Sequence, residues 1–136
     1  MNRKIYLQPM TFTRYDEGHA LVYLNEEVIE NYQLQPAADS DEQQEPKTVT
    51  AYAYTGPMPD GGTLVDAADD SRDTLIGALI RAQYTQSEED AIKTHQLMRI
   101  EDPDTPKAAD YASEWAEFKV QRQAAIDIVD KWLSIK

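Results

Sequence analysis

Residues 48–55, TVTAYAYT, decide the fold. Val49, Ala51 and Ala53 fall on one side of an extended chain, and Thr50, Tyr52 and Tyr54 on the other. Period-two alternation of this kind is the signature of a half-buried strand. The stretch is also a pivot, because the chain before it reads as extended and the chain after it as helical.

Upstream, residues 4–13 (KIYLQPMTFT) are rich in aromatic and β-branched types, interrupted by Pro9. Proline cannot donate to a β-ladder, so this stretch is an edge strand or two short pieces. Asp16-Glu17-Gly18 signals a turn, and residues 19–24 (HALVYL) read as a strand that is apolar on both faces. Asn25-Glu26-Glu27 then opens either a further strand through Val28 and Ile29 or a short helix to Tyr32; strand is the favoured reading. Residues 35–47 (QPAADSDEQQEPK) carry two prolines, four acids and no large apolar side chain. Burial there cannot offset the entropy of ordering, which predicts a flexible loop or linker.

Downstream, residues 56–62 (GPMPDGG) are turn-rich, and Thr63-Leu64-Val65 returns as a short strand. From there the period changes. Asp69-Asp70-Ser71 supplies helix caps, followed by Leu75, Ile76, Leu79, Ile80 and Tyr84 on one helical face. Thr85-Gln86-Ser87-Glu88 matches a capping box and starts a second helix bearing Ala91, Ile92, His95 and Met98, which Asp102-Pro103 ends. Thr105 and Pro106 read as the cap and first residue of a third helix. Its Tyr111, Trp115, Phe118, Arg122, Ala125, Val129 and Trp132 recur at alternating spacings of four and three, a heptad seam widened by Ala112, Ile126 and Leu133.

Strands followed by helices predict an α+β fold: a small antiparallel sheet in residues 1–65 and three helices in residues 70–136, packed as one compact unit. The last helix would run about 40 Å at ~1.5 Å per residue. It outlasts each of the two preceding helices, and antiparallel packing covers a helix only as far as its partner's length. One turn or more of the seam, near Val129, Trp132 and Leu133, is therefore left without a helical neighbour, so either the sheet or a second chain covers it. A homodimer through this end is one expectation. Tyr52 and Tyr54 are the other candidate interface residues, although their face of the strand can equally serve as core.

The chain has 136 residues, 41% hydrophobic and 28% charged, with 25 acids against 13 bases and a formal net charge of −12. That sign opposes phosphate neutralisation and anionic membrane surfaces, so neither nucleic acid nor membrane is expected as a direct partner. The absence of cysteine excludes disulfides and thiolate chemistry and fits a reducing compartment. No apolar run reaches the length of a membrane span, and the start of the chain lacks a signal-peptide core, which predicts a soluble cytoplasmic protein.

Catalytic and metal-binding patterns are weak. The two histidines, His19 and His95, have no second ligand at metal spacing and read as structural or exposed. Asp60-Gly61-Gly62 has the chemistry of a turn, with no P-loop lysine after it. The acids at 66, 69, 70 and 73, and those at 101, 102 and 104, lack the spacing of a calcium loop. No serine lies in G-x-S-x-G, and Ser71 and Ser87 read as helix caps. No cofactor, metal or catalytic residue is assigned.

Three further stretches carry a resemblance: TAYAYTGPMPDGGTLVDA, SRDTLIGALIRAQYTQSEEDAI and ADYASEWAEFKVQRQAAIDIV. In that order they resemble small proteins encoded in prophage tail regions of gut bacteria, and the layout is similar to phage tail-fibre assembly proteins. Arg72-Asp73-Thr74-Leu75 stands where those proteins enter their helices, and Trp115, Phe118 and Arg122 stand on their late aromatic helix. The resemblance covers roughly residues 48–130. It implies a β-rich part joined to a helical part, no catalytic residue, and work as a structural part or assembly chaperone of a tail or fibre, cytoplasmic in a bacterial host or virion-associated. The expected function is therefore non-enzymatic protein–protein interaction. The alternatives are an acidic decoy that mimics DNA, which the sign of the charge favours, and a small enzyme.

Overall fold

The computed structural model describes residues 1–34 and 47–136. Nearly all of the segment read as a flexible loop, 35–47, lies outside the described residues. Among the described residues the architecture is α+β, with six strands followed by three helices. The strands are β1 (Asn2–Tyr6), β2 (Phe12–Asp16), β3 (His19–Val22), β4 (Glu27–Gln33), β5 (Thr48–Gly56) and β6 (Thr63–Asp66). The helices are α1 (Arg72–Gln83), α2 (Gln86–Glu101) and α3 (Ala108–Ile135). The strands form two three-stranded sheets, ordered β1-β5-β4 and β2-β3-β6. Two compact units result: Met1–Asp16 with Ala20–Leu64, and Glu17–His19 with Val65–Lys136.

In the first unit β5 is the central strand, antiparallel to β1 and β4. Pro9 separates β1 from β2, in keeping with the missing ladder donor. Tyr6 and Val28 both stand opposite Tyr52, one on each side of β5. Between Ile29 and Tyr32 the register slips by one residue, and Asn31 there takes φ 58°. Asparagine is among the few residues that adopt the left-handed region readily, so it carries the bulge. Asn25, also at φ 58°, turns the chain into β4 while its amide donates to the Thr55 carbonyl at 3.2 Å. After β5, Gly61 N–H donates to the Met58 carbonyl and Met58 N–H to the Gly62 carbonyl, each at 3.0 Å. Pro59 fits the second position of this turn, and Gly61 supplies its φ of 82°.

The second unit is built on α3. Arg72, the first residue of α1, pairs with Asp130, while Tyr84, just past its last residue, meets Phe118 ring to ring at 5.3 Å. His95 of α2 stacks on Tyr111. Thus α1 lies antiparallel to the second half of α3, and α2 continues in the same direction over the first half. The helices are 12, 16 and 28 residues long, and α1 and α2 lie over different lengths of α3. This corrects the expectation that the far end lacks a helical neighbour: α1 reaches it, with Arg72 paired to Asp130. Val129 and Trp132 are 0% and 2% exposed.

The caps of α1 and α2 follow the sequence. Ser71 accepts from Thr74 N–H, and Thr85 accepts from Glu88 N–H while donating to that residue's carboxylate. Ser87 is not a cap; it sits inside the first turn of α2. The third helix departs from expectation as well. Thr105 uses its carbonyl, not its hydroxyl: that carbonyl accepts from Ala108 N–H in a turn around Pro106, so α3 begins at Ala108 with Lys107 as an unassisted cap. Along the seam, Phe118 and Ala125 are buried, Tyr111 and Trp115 are half-buried, and Arg122 is exposed. The seam is thus closed more fully under α1, which buries five of its own residues, than under α2, which buries only Glu89 and Ile92.

Candidate functional site

Three tyrosines from separate parts of the first unit meet in one cluster. Tyr6 of β1, Tyr23 just after β3 and Tyr54 of β5 have ring centroids 5.8–6.1 Å apart, with Tyr23 edge-on to both others. Edge-to-face packing suits the aromatic quadrupole. Leu21 completes the buried centre, and Met10, Tyr52, Met58 and Leu64 pack around it. Asp60, on the loop between β5 and β6, is held there at three points. Its Oδ2 accepts from the Tyr23 hydroxyl at 2.7 Å, its Oδ1 from Gly62 N–H at 2.9 Å, and its carbonyl from the Tyr6 hydroxyl at 2.6 Å. The Tyr54 hydroxyl accepts from Met10 N–H at 2.9 Å and donates to Glu26 at 3.2 Å.

This chemistry is that of a lock. Burial pushes the Tyr23 phenol well above its ordinary value, and the bond to Asp60 and that carboxylate's charge push it further. Burial likewise raises Tyr54 to about 12, against the opposing bond from Met10 N–H, and it raises Tyr6 beside Asp60. Phenols held neutral serve as hydrogen-bond donors, not as bases or nucleophiles. The cluster fastens the loop over residues 57–62, and the Asn2 amide adds bonds to the Pro57 and Met58 carbonyls at 3.2 and 3.0 Å.

The second unit has polar groupings of its own. His95 Nδ1 lies 2.7 Å from Glu114 Oε1, and its ring lies 4.3 Å from that of Tyr111 at an interplanar angle of 10°. Both side chains of the pair are about one-third exposed. Buried Glu89 is compensated by Arg81 and Lys93, each 3.4 Å away, and by Gln86 at 3.3 Å. A buried carboxylate requires such partners. Arg72 grips Asp130 with two nitrogens, at 2.6 and 3.2 Å. His19 Nε2 lies 3.1 Å from Asp66. Among the described residues, no three histidine or carboxylate groups are placed to hold a metal ion, and no helix is long and apolar enough to cross a membrane.

The candidate interface residues are distributed as follows. Tyr54 is buried in the cluster and Tyr52 is half-buried beside it, so their shared face packs against β3 and the loop of residues 57–62. Val129 and Trp132 are enclosed within the chain, while Leu133 is 39% exposed. The structure instead exposes two apolar residues that the α2 stripe did not mark and one, Met98, that it did. Leu97 and Ile100, on one flank of α2, are 60% and 62% exposed, with Met98 on the opposite flank at 44%. Their place was legible in principle: Ile92, His95 and Arg99 define the stripe facing α3, and Leu97 and Ile100 stand off it. Comparison with models of protein families, with characterised proteins and with solved structures found no match.

Proposed function

We propose that this chain is a non-enzymatic protein–protein interaction protein, a structural part or assembly chaperone of a phage tail or tail fibre. The observation that carries the reading is the apolar flank of α2. Leu97 and Ile100 stand three residues apart on the helix, so their side chains form one continuous patch in solvent. Leaving such groups wet is unfavourable by roughly 25 cal/mol per Å2, and patches of this sort mark surfaces that another molecule covers. The polar groupings support the same reading, since the Tyr23–Asp60 and Arg81–Glu89–Lys93 contacts are spent on holding the fold. The phage setting comes from the resemblance of residues 48–130.

The test is affinity purification of the tagged chain from its native host, beside a Leu97→Lys/Ile100→Lys variant. A discrete partner retained by the wild type and lost by the folded variant is the expected result. The same proteins recovered with both would overturn the reading.

A further inference from the structure

The sheet β1-β5-β4 ends on β4, and the outer edge of that strand has no partner among the described residues. Edge strands present a row of main-chain donors and acceptors, and proteins commonly protect them. Here the protection is selective. Val28, 56% exposed beside the half-buried Tyr52, shares one face of the strand with exposed Glu30, while exposed Glu27 lies on the other face and is paired with Arg3. The bulge at Asn31 breaks the regular edge, leaving Glu27 to Glu30 as the straight part. An incoming strand would therefore meet ladder groups, one apolar seat and a carboxylate beside it.

On this evidence we propose that the edge of β4 at Glu27–Glu30 takes an extended, cationic segment of a partner protein as a fourth strand. Main-chain hydrogen bonds supply the attachment, and alternate side chains supply the choice of partner. Lysine or arginine would face Glu30, and an apolar residue two positions away on the same face would sit on Val28. A second copy of this chain is the poorer occupant. Pairing β4 with β4 would set like charges together, and two chains of net charge −12 repel. The opposite edge, β1, does carry Arg3 and Lys4, but Arg3 is already bonded to Glu27 of its own chain at 3.0 Å. The proposal rests on the interaction reading above and names a surface distinct from the α2 flank.

The probe is a short peptide of sequence Lys-Thr-Val-Thr-Lys, compared with the same peptide N-methylated on every amide. The two carry equal charge, but only the first can extend a ladder. Backbone amide shifts and hydrogen exchange locate the binding. The expected result is binding by the unmodified peptide, slowed exchange confined to residues 27–30, and weakening by about tenfold in Glu30→Lys, whose exposed site leaves the fold intact. Equal binding of both peptides, shifts spread over the acidic surface, or no binding would overturn the proposal. So would concentration-dependent oligomers that Arg3→Glu abolishes, since they would assign the edge to a second copy. If the Leu97→Lys/Ile100→Lys variant still loses its partner in any of these cases, the β4 proposal falls alone.

Discussion

Replacing each tryptophan in turn tests how α1 and α2 share the length of α3. Trp132 is 2% exposed and lies two residues beyond Asp130, which Arg72 of α1 grips. Truncating a fully buried aromatic costs roughly 3–5 kcal/mol, from lost transfer energy and the cavity left behind. Trp115 is half-buried in the half of α3 that α2 covers, stacked on Phe118 at 5.8 Å. Half of a tryptophan surface of roughly 200 Å2, at roughly 25 cal/mol per Å2, is about 2.5 kcal/mol, with little cavity to add. Trp132→Ala should therefore destabilise clearly more than Trp115→Ala. Urea unfolding followed by circular dichroism measures both, and an unchanged dependence on urea confirms that the same surface is being exposed. The single-tryptophan variants add a check, since Trp132 alone should emit further to the blue than Trp115 alone. A cost below about 1 kcal/mol for Trp132→Ala, or a larger one for Trp115→Ala, would refute this division of α3 between α1 and α2.

Three further outcomes are expected. Tyr54→Phe leaves Met10 N–H without its acceptor and should cost about 1–2 kcal/mol in urea unfolding. The raised phenols make the fold sensitive to alkali: unfolded tyrosines titrate near 10.0 and Tyr54 only near 12, so stability should fall as pH rises above 10, and phenolate absorbance should show protected tyrosines that ionise as the fold is lost. The Arg72 guanidinium holds the Asp130 carboxyl below its ordinary 3.8, so the pair's contribution is complete above that value and fades as pH falls through the lower, folded one. The stability difference between wild type and Asp130→Asn should shrink over the same range.

Local rules account for most of the element pattern. Pro9 parts two strands, Ser71 and Thr85 start two helices, and Asp102 ends one, because each effect acts within a turn of chain. What the sequence left open depends on contacts between distant elements. A helical stripe tells which face of α3 is buried but not which length of which helix lies over it. The placement of α1 over the second half of α3 and of α2 over the first therefore had no local signal, and neither did the meeting of His95 with Glu114. Thr105 and Pro106 carried a helix-start pattern that a preceding turn captured instead. Asp60 reads as a turn residue in sequence, and it is one. Its second role, as the anchor for Tyr6 and Tyr23, needs three separated segments brought together. Val129 and Trp132 drew attention as a bare seam, and Leu97 and Ile100 did not, because exposure is settled by packing and not by spacing.

The most direct test of the interaction reading is site-specific photo-crosslinking in the native host. A photoreactive residue at Leu97 is compared with one at Gln123, an exposed position on α3. One discrete crosslinked product with another protein is expected from Leu97 and none from Gln123. No product from Leu97, or the same mixture from both positions, would contradict that reading.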